Sequence, residues 1–389
     1  MRIFCFTDRF LPTIGGAELA VHNLAEGLVS LGHEVLVSTS TRQGYPAHRH
    51  NYELERFWLP RGSERFGFVE WWIGWHLVRS ISRWRPDIVQ INYAWPGGYA
   101  AIKNKNRIKV PIIITSHGSD IQYIPEIGYG DRLNPKRDRM IVHALRHADG
   151  LIAISNDIYN EYVKLGVSEQ LITLIPNGIC FHTLARRNEQ ARRSLGINSG
   201  QLVILAVGRN HPKKGFNYLI QAMSLIAPKN PVALCLIVGK GVSSLAPVVE
   251  QMGVTEHVRL CSQALPVGID FSGRIMPDSE KIETYFKAAD IYAMPSLIEG
   301  MPLVALEAMA SGLPLIASLQ GASEDLVVDG KNGLLIPAED VSALADALQV
   351  LLGDKKLRKM MGNVSRLKAK SYDRDHIANE HLRYFKKFI

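Results

Sequence analysis

The chain has 389 residues, 47% of them hydrophobic and 21% charged, with a formal net charge of +8. This length suits two domains, each able to bury a core, and leaves no room for a third sizeable one. No apolar run approaches the roughly 20 residues needed to cross a bilayer, and Arg2, Asp8 and Arg9 around the first apolar run do not read as a signal peptide.

In chain order, residues 2–7 form the first predicted strand, which ends in the turn at 12–16. Leu19, Ala20, Leu24, Leu28 and Leu31 then recur at helical spacing. Further strands are predicted at 34–39, 88–91, 111–115, 150–154 and 171–175, with helix-compatible sequence between them. The pattern restarts at 201–207, a near-continuous apolar run, with a helix from about Phe216, and continues through strands at 233–238, 291–294, 314–317 and 333–336. Such alternation builds a parallel sheet covered on both faces. Pro176-Asn177-Gly178 and the polar stretch 185–199 make the natural linker. The expected fold is α/β: two Rossmann-like, doubly wound domains facing across a cleft. The first spans residues 1–185, the second 186–371, and a C-terminal helix at about 372–389 returns to the first.

In open parallel sheets ligands bind beyond the carboxyl ends of the strands, so the loops after strands carry the information. Gly15-Gly16 opens a helix after the first strand. There glycine lets a phosphate approach the backbone and the helix end offers free N–H groups. The same pair serves equally as a tight strand-to-helix connection, and G-x-G-x-x-G spacing is absent. After the strand at 111–115, Ser116-His117-Gly118-Ser119-Asp120 puts His117 where it either touches a ligand or serves as a satisfied structural residue.

Gly208-Arg209-Asn210-His211-Pro212-Lys213-Lys214-Gly215 brackets three cations with glycines ahead of a helix. That suits a diphosphate, Arg209 giving a fork of donors and Lys214 a point charge. A charged surface turn is the competing reading for the lysines. Gly239-Lys240-Gly241 follows the next strand. Further on, Glu299 precedes Gly300 and Pro302 at a helix start, and Glu307 lies inside the apolar helix that follows. A carboxylate there is costly without a partner. A pair of ribose hydroxyls is one such partner, a buried cation another.

The segment EGMPLVALE, residues 299–307, resembles the E-x7-E motif of retaining GT-B glycosyltransferases. It is most similar to the large family 4, which includes bacterial mannosyl- and glucosyltransferases of cell-surface polysaccharides. FLPTIGGAE, HGSD, IAISN, IPNGI, VGRNHPKKG, ALEAMASGLPLIAS and GASEDLVVDGKNGLLIP come in that family's order, so the resemblance covers nearly the whole chain. It implies a GT-B fold and retaining transfer of a hexosyl group from a UDP- or GDP-sugar to a glycan or lipid-linked acceptor, with no protein nucleophile and no cofactor.

The resemblance also implies roles. Glu307 would hold the ribose hydroxyls. Glu299 and the backbone N–H groups of Gly300, Met301 and Leu303 would face the sugar and diphosphate, whereas Pro302 has no N–H to give. Arg209 and Lys214 would neutralise the departing diphosphate. Gly15, Gly16 and His117 would meet phosphate or sugar from the first domain. Gly239 would belong to the donor site, and the backbone around Ile275 would hold the nucleobase. His117, Glu299, Arg209 and Lys214 make the implied catalytic set. The chain departs from the family in carrying residues 261–272 ahead of Gly273. Cations and helix ends aimed at a diphosphate lead to an expectation of metal-independent catalysis. The D-x-D at Asp373-Arg374-Asp375 reads as a charged helix start rather than a metal site.

All six tryptophans lie between Trp58 and Trp95. Residues 66–85 hold Trp71, Trp72, Trp75 and Trp84 with Arg79, Arg83 and Arg85. This reads either as a core-packed helix with a charged outer face or as an amphipathic helix on an anionic membrane surface. Residues 355–389 carry eleven Lys or Arg against three acids, which accounts for the whole net charge. That tail either attracts phosphate and anionic lipid or is a solvated helix face. Few aromatics interleave with it, so no nucleic-acid partner is expected.

Cys5, Cys180, Cys235 and Cys261 have neither metal nor redox spacing and fit a reducing compartment. The expected location is the cytoplasm, with the inner face of the membrane as a docking place. A non-catalytic sugar-nucleotide-binding protein on the same fold is the alternative. Intact Glu299, Glu307, Arg209, Lys214 and His117 argue against it. A glycogen-type phosphorylase would need a pyridoxal-phosphate lysine site, which the sequence does not offer.

Overall fold

Runs of Ile, Val and Leu bounded by turn residues form strands buried on both faces, as parallel sheets require. The computed structural model describes residues 1–12, 15–40, 50–60, 62–63, 67–184, 188–262 and 281–389. In it the chain divides into two units, residues 1–179 with 373–389, and residues 180–372.

The first unit holds β1 (Arg2–Thr7), β2 (Glu34–Thr39), β3 (Glu53–Arg56), β4 (Ile88–Asn92), β5 (Ile112–Ser116), β6 (Gly150–Ala153) and β7 (Ile172–Leu174). They form one sheet in the order β3-β2-β1-β4-β5-β6-β7, parallel at every pair. The second unit holds β8 (Leu202–Val207), β9 (Ala233–Val238), β10 (Val258–Cys261), β11 (Ile291–Met294), β12 (Leu315–Ser318) and β13 (Gly333–Ile336). Their order is β10-β9-β8-β11-β12-β13, again parallel throughout.

Sequence patterning misses β3 and β10. Both lie on sheet edges, where burial is partial and charged residues such as Glu53, Glu55 and Arg259 are tolerated and guard the edge. The strand order reverses direction between β1 and β4, and again between β8 and β11. At such a switch point the connections leave on opposite faces and open a crevice at the carboxyl ends. The loops that begin after β1, β4, β8 and β11 are therefore the ones placed to hold a ligand.

The last helix, Arg374–Phe385, belongs to the first unit and packs on helix Gly16–Ser30. Contact is close at Gly27, where a Cβ would lie 2.8 Å from the Arg374 carbonyl oxygen. Ser30 Oγ donates to Asp375 Oδ1 at 3.0 Å, and Asp373 caps the helix by accepting from the Asp375 N–H at 3.1 Å. Both carboxylates of the D-x-D are thus engaged at a helix start.

Helix Val69–Trp84 turns Val69, Ile73, Leu77 and Ile81 inward and leaves Trp71 and Trp75 exposed, beside exposed Trp58. Phe66, at the start of the predicted amphipathic segment, lies outside the described residues. Cys5 and Cys235 are core thiols, and burial pushes Cys5 up to about 12. Among the described residues, no helix is long and apolar enough to cross a membrane.

Candidate active site

In the second unit, β8 leads through Gly208 and Arg209 into a short turn of 3-10 helix, Pro212–Lys214, and then helix Phe216–Ile226. β11 leads into the loop 295–302 and helix Leu303–Ala310. Backbone contacts bind the two connections together. The Leu297 N–H donates to the Lys213 carbonyl at 2.7 Å. Gly215, at φ +64°, lies so near the Pro295 carbonyl that a Cβ would fall 1.9 Å from its oxygen.

This brings Glu299 to the lysines. Lys214 Nζ donates to Glu299 Oε1 at 2.5 Å, Lys213 Nζ lies 3.6 Å from Oε2, and Ser296 Oγ donates to Oε1 at 2.9 Å. Burial would raise the Glu299 carboxyl, but the two lysines and Ser296 together hold it down to about 2. Lys214 is itself pulled below its ordinary value by burial, against the opposing pull of Glu299. Both lysines are thus partly buried and paired with Glu299 rather than freely solvated on the turn, while Arg209 is exposed.

Glu307 sits one helical stretch further on, among buried Leu303, Ala305, Leu306, Ala308 and Met309. The residue is 7% exposed, and its carboxyl makes no hydrogen bond or ion pair with any described residue. Burial pushes it up to about 8, with Glu283 adding repulsion. The buried cation considered as a partner is thus not found among the described residues. The same helix begins at Leu303, just past Gly300 and Met301, without a side-chain cap for its first N–H groups.

Tyr292 on β11 escaped the sequence reading. It is buried, its hydroxyl meets the Val207 backbone on β8, and burial first, then the charges of Glu299 and Glu307, raise it well above its ordinary value. A lone tyrosine in an otherwise apolar strand was the available signal, as was Ser296 three residues before Glu299. Gly239 is at φ +146°, and a Cβ there would meet the Gly208 carbonyl oxygen at 2.0 Å. Its own N–H donates to the Cys261 carbonyl at 2.9 Å, so Gly239 shapes the Gly208 loop by close approach. Ile275 and Gly273 lie outside the described residues, as does most of the stretch 261–272.

In the first unit, Gly15 caps helix Gly16–Ser30 with extended backbone and no side-chain cap. Glu18, buried, folds back so that its Oε2 would lie 2.3 Å from a Cβ at Gly15, whereas a Cβ at Gly16 would meet nothing within 4 Å. Open space at a helix N-terminus lies at Gly16 rather than Gly15.

His117 follows β5. Its Nε2 lies 2.8 Å from Asn92 Oδ1, and its backbone N–H donates to Asp120 Oδ1 at 3.1 Å. Nδ1 is buried with no partner among the described residues, a condition that costs about 1–3 kcal/mol unless something donates to it. Burial, with a smaller contribution from His381, lowers the imidazole to about 4, so the ring is neutral at pH 7. Asp120 also accepts the Ala94 N–H at 2.8 Å, and burial raises it to about 6. Tyr93, at φ +76°, sets its ring 5.3 Å from that of His117.

The exposed tryptophans sit at this same end of the sheet. Trp95, just past β4, donates to Glu70 in the first turn of helix Val69–Trp84 at 2.9 Å. Trp72 Nε1 donates to the Trp58 carbonyl at 2.6 Å, and Arg79 lies 5.5 Å over the Trp75 ring.

A family model described as "Glycosyltransferase Family 4" matches residues 14–181, and one described as "Glycosyl transferases group 1" matches residues 187–368. The D-inositol 3-phosphate glycosyltransferase of Corynebacterium urealyticum is 32% identical over 309 residues, covering 76% of this chain and 70% of the relative. The enzyme of the same name from Nocardia farcinica is 30% identical over 284 residues, or 71% of this chain and 61% of that relative's length. The structure of HepE from Anabaena in complex with UDP-glucose matches with a TM-score of 0.80 at 20% identity, covering 100% of both chains. That likeness shows a shared fold.

Proposed function

This chain belongs to the GT-B glycosyltransferases of family 4, and from that premise we propose that it moves a hexosyl group from a UDP- or GDP-sugar to a glycan or lipid-linked acceptor of the cell surface, with retention of anomeric configuration and without a metal ion. The observation that carries the reading is Glu307: a carboxyl buried in an apolar helix beside the β8–β11 switch point, with no described partner. Two vicinal ribose hydroxyls supply the donors it lacks.

The remaining roles follow from charge. In a retaining transfer without a protein nucleophile, the barrier falls chiefly by stabilising the departing diphosphate. Lys214 and Lys213 supply partly buried cations for it, Arg209 an exposed one, and the backbone at Gly300 and Met301 with the uncapped start of helix Leu303–Ala310 supplies N–H groups. Glu299, ionised at neutral pH, faces the sugar hydroxyls and steadies Lys214. Ile275 lies in the stretch proposed for the nucleobase. Gly16 and Gly15 meet phosphate or sugar, and His117 the sugar. UDP-glucose in the Anabaena protein supports a uridine donor without deciding the base.

Exposed Trp58, Trp71 and Trp75 with Arg79 support work at an anionic membrane surface, where tryptophan prefers the interface and arginine the headgroups. The deciding experiment is a nucleotide-release screen over UDP- and GDP-sugars with EDTA present, in which slow hydrolysis stands in for the unidentified acceptor. Release from one donor supports the reading. Release from none, or only with added divalent ion, contradicts it.

A further inference from the structure

We propose that Asn92 is a positioning residue that fixes the proton of His117 on Nε2 and leaves Nδ1 as a hydrogen-bond acceptor, so that the sugar group met there is a hydroxyl that donates. The inference deepens the reading given above and rests on it for the sugar contact, though not for the proton.

Asn92 ends β4 and is 2% exposed. Its amide cannot turn freely, because Nδ2 donates to the Phe6 carbonyl on the neighbouring strand β1 at 3.1 Å. Oδ1 is therefore the atom presented to His117, and Oδ1 only accepts. The imidazole nitrogen 2.8 Å away must be the one that carries the hydrogen. A neutral ring has one such hydrogen, so Nδ1 holds a bare lone pair. The charged and titratable groups around the ring do not alter this: Asp120 receives the backbone N–H of His117, Tyr93 approaches with its ring, and His381, lowered to about 4 by burial, is uncharged at neutral pH. The carbonyl of Phe6, at the end of β1, thus sets the proton of a histidine at the end of β5 through one amide.

A fluorine in place of the contacted hydroxyl accepts but cannot donate, so it fails at Nδ1.

The test is nitrogen NMR on protein labelled at histidine, with His117 assigned by its loss in His117→Gln. Wild type is expected to show a protonated Nε2 and a bare Nδ1 across neutral pH. Asn92→Leu, which removes the acceptor, is expected to give a mixture of tautomers and to lower kcat/KM for the donor about tenfold, with affinity for the nucleoside diphosphate alone unchanged. Asn92→Asp, which keeps an acceptor and adds charge, is expected to raise the pH at which the ring protonates. A wild-type signal with the proton on Nδ1 overturns the proposal whatever the variants do, and so does an unmixed Nε2 tautomer in Asn92→Leu. Failure of wild type to turn over any nucleotide sugar would count against the glycosyltransferase reading and leave the tautomer result standing.

Discussion

Glu307→Gln removes an ionisable proton and keeps the shape of the side chain. In the folded protein that carboxyl titrates at about 8 against 4.5 for an ordinary glutamate, because burial disfavours its charge. Between those values the folded chain keeps a proton that the unfolded chain has released, so stability falls as pH rises through the window. The displacement is worth about 5 kcal/mol once pH passes 8. Glutamine is neutral in both states and lacks this slope, while every other titrating group is common to the two proteins. The two are expected to match in stability near pH 5, with the variant ahead by about 3–5 kcal/mol at pH 9. At about 2–4 °C per kcal/mol for a unit of this size, that is a melting difference on the order of 10 °C. Urea and thermal melts at each pH from 5 to 9 measure it. Parallel profiles for the two proteins would refute the account of Glu307 as a buried carboxyl without a partner.

Lys214→Met takes from Glu299 its nearest cation, and is expected to cost about 2–4 kcal/mol of stability and about 100-fold in kcat, read by urea melts and steady-state turnover. Glu299, held at about 2 in the folded state, contributes stability that is present above pH 4.5 and lost as pH falls toward 2. Lys214→Met is expected to move that loss to higher pH, seen in acid-unfolding curves. Gly239→Ala drives a Cβ into the Gly208 carbonyl at a backbone angle only glycine adopts readily, and is expected to lower stability by about 2 kcal/mol or more and to weaken nucleotide binding together with it. Trp71→Ala with Trp75→Ala is expected to reduce flotation with anionic vesicles at low salt and to leave the melting temperature unchanged, since both side chains are exposed.

Much of the fold was legible in the sequence because buried parallel strands are written as unbroken apolar runs. The strands at 34–39, 233–238, 291–294 and 333–336 agree with their structural bounds. The edges were not legible: Glu53–Arg56 carries three charged residues out of four, since an edge strand buries too little to need an apolar pattern. At the site, spacing put Glu299 and Glu307 on one loop and helix, but it could not show that Lys214 and Glu299, 85 positions apart in the chain, pair across β8 and β11. That contact depends on the strand order, which places β11 next to β8. Asn92 was invisible for the same reason: its importance comes from neighbours on β1 and β5, and nothing in the local sequence marks it.

The central claim is that Glu307 and Lys214 hold a nucleoside diphosphate sugar. Isothermal titration of UDP, GDP and their hexose conjugates into wild type, Glu307→Ala and Lys214→Met tests it most directly. The account predicts binding of one base class by wild type and a loss of at least about tenfold in each variant. Binding of the same strength in all three proteins would contradict it.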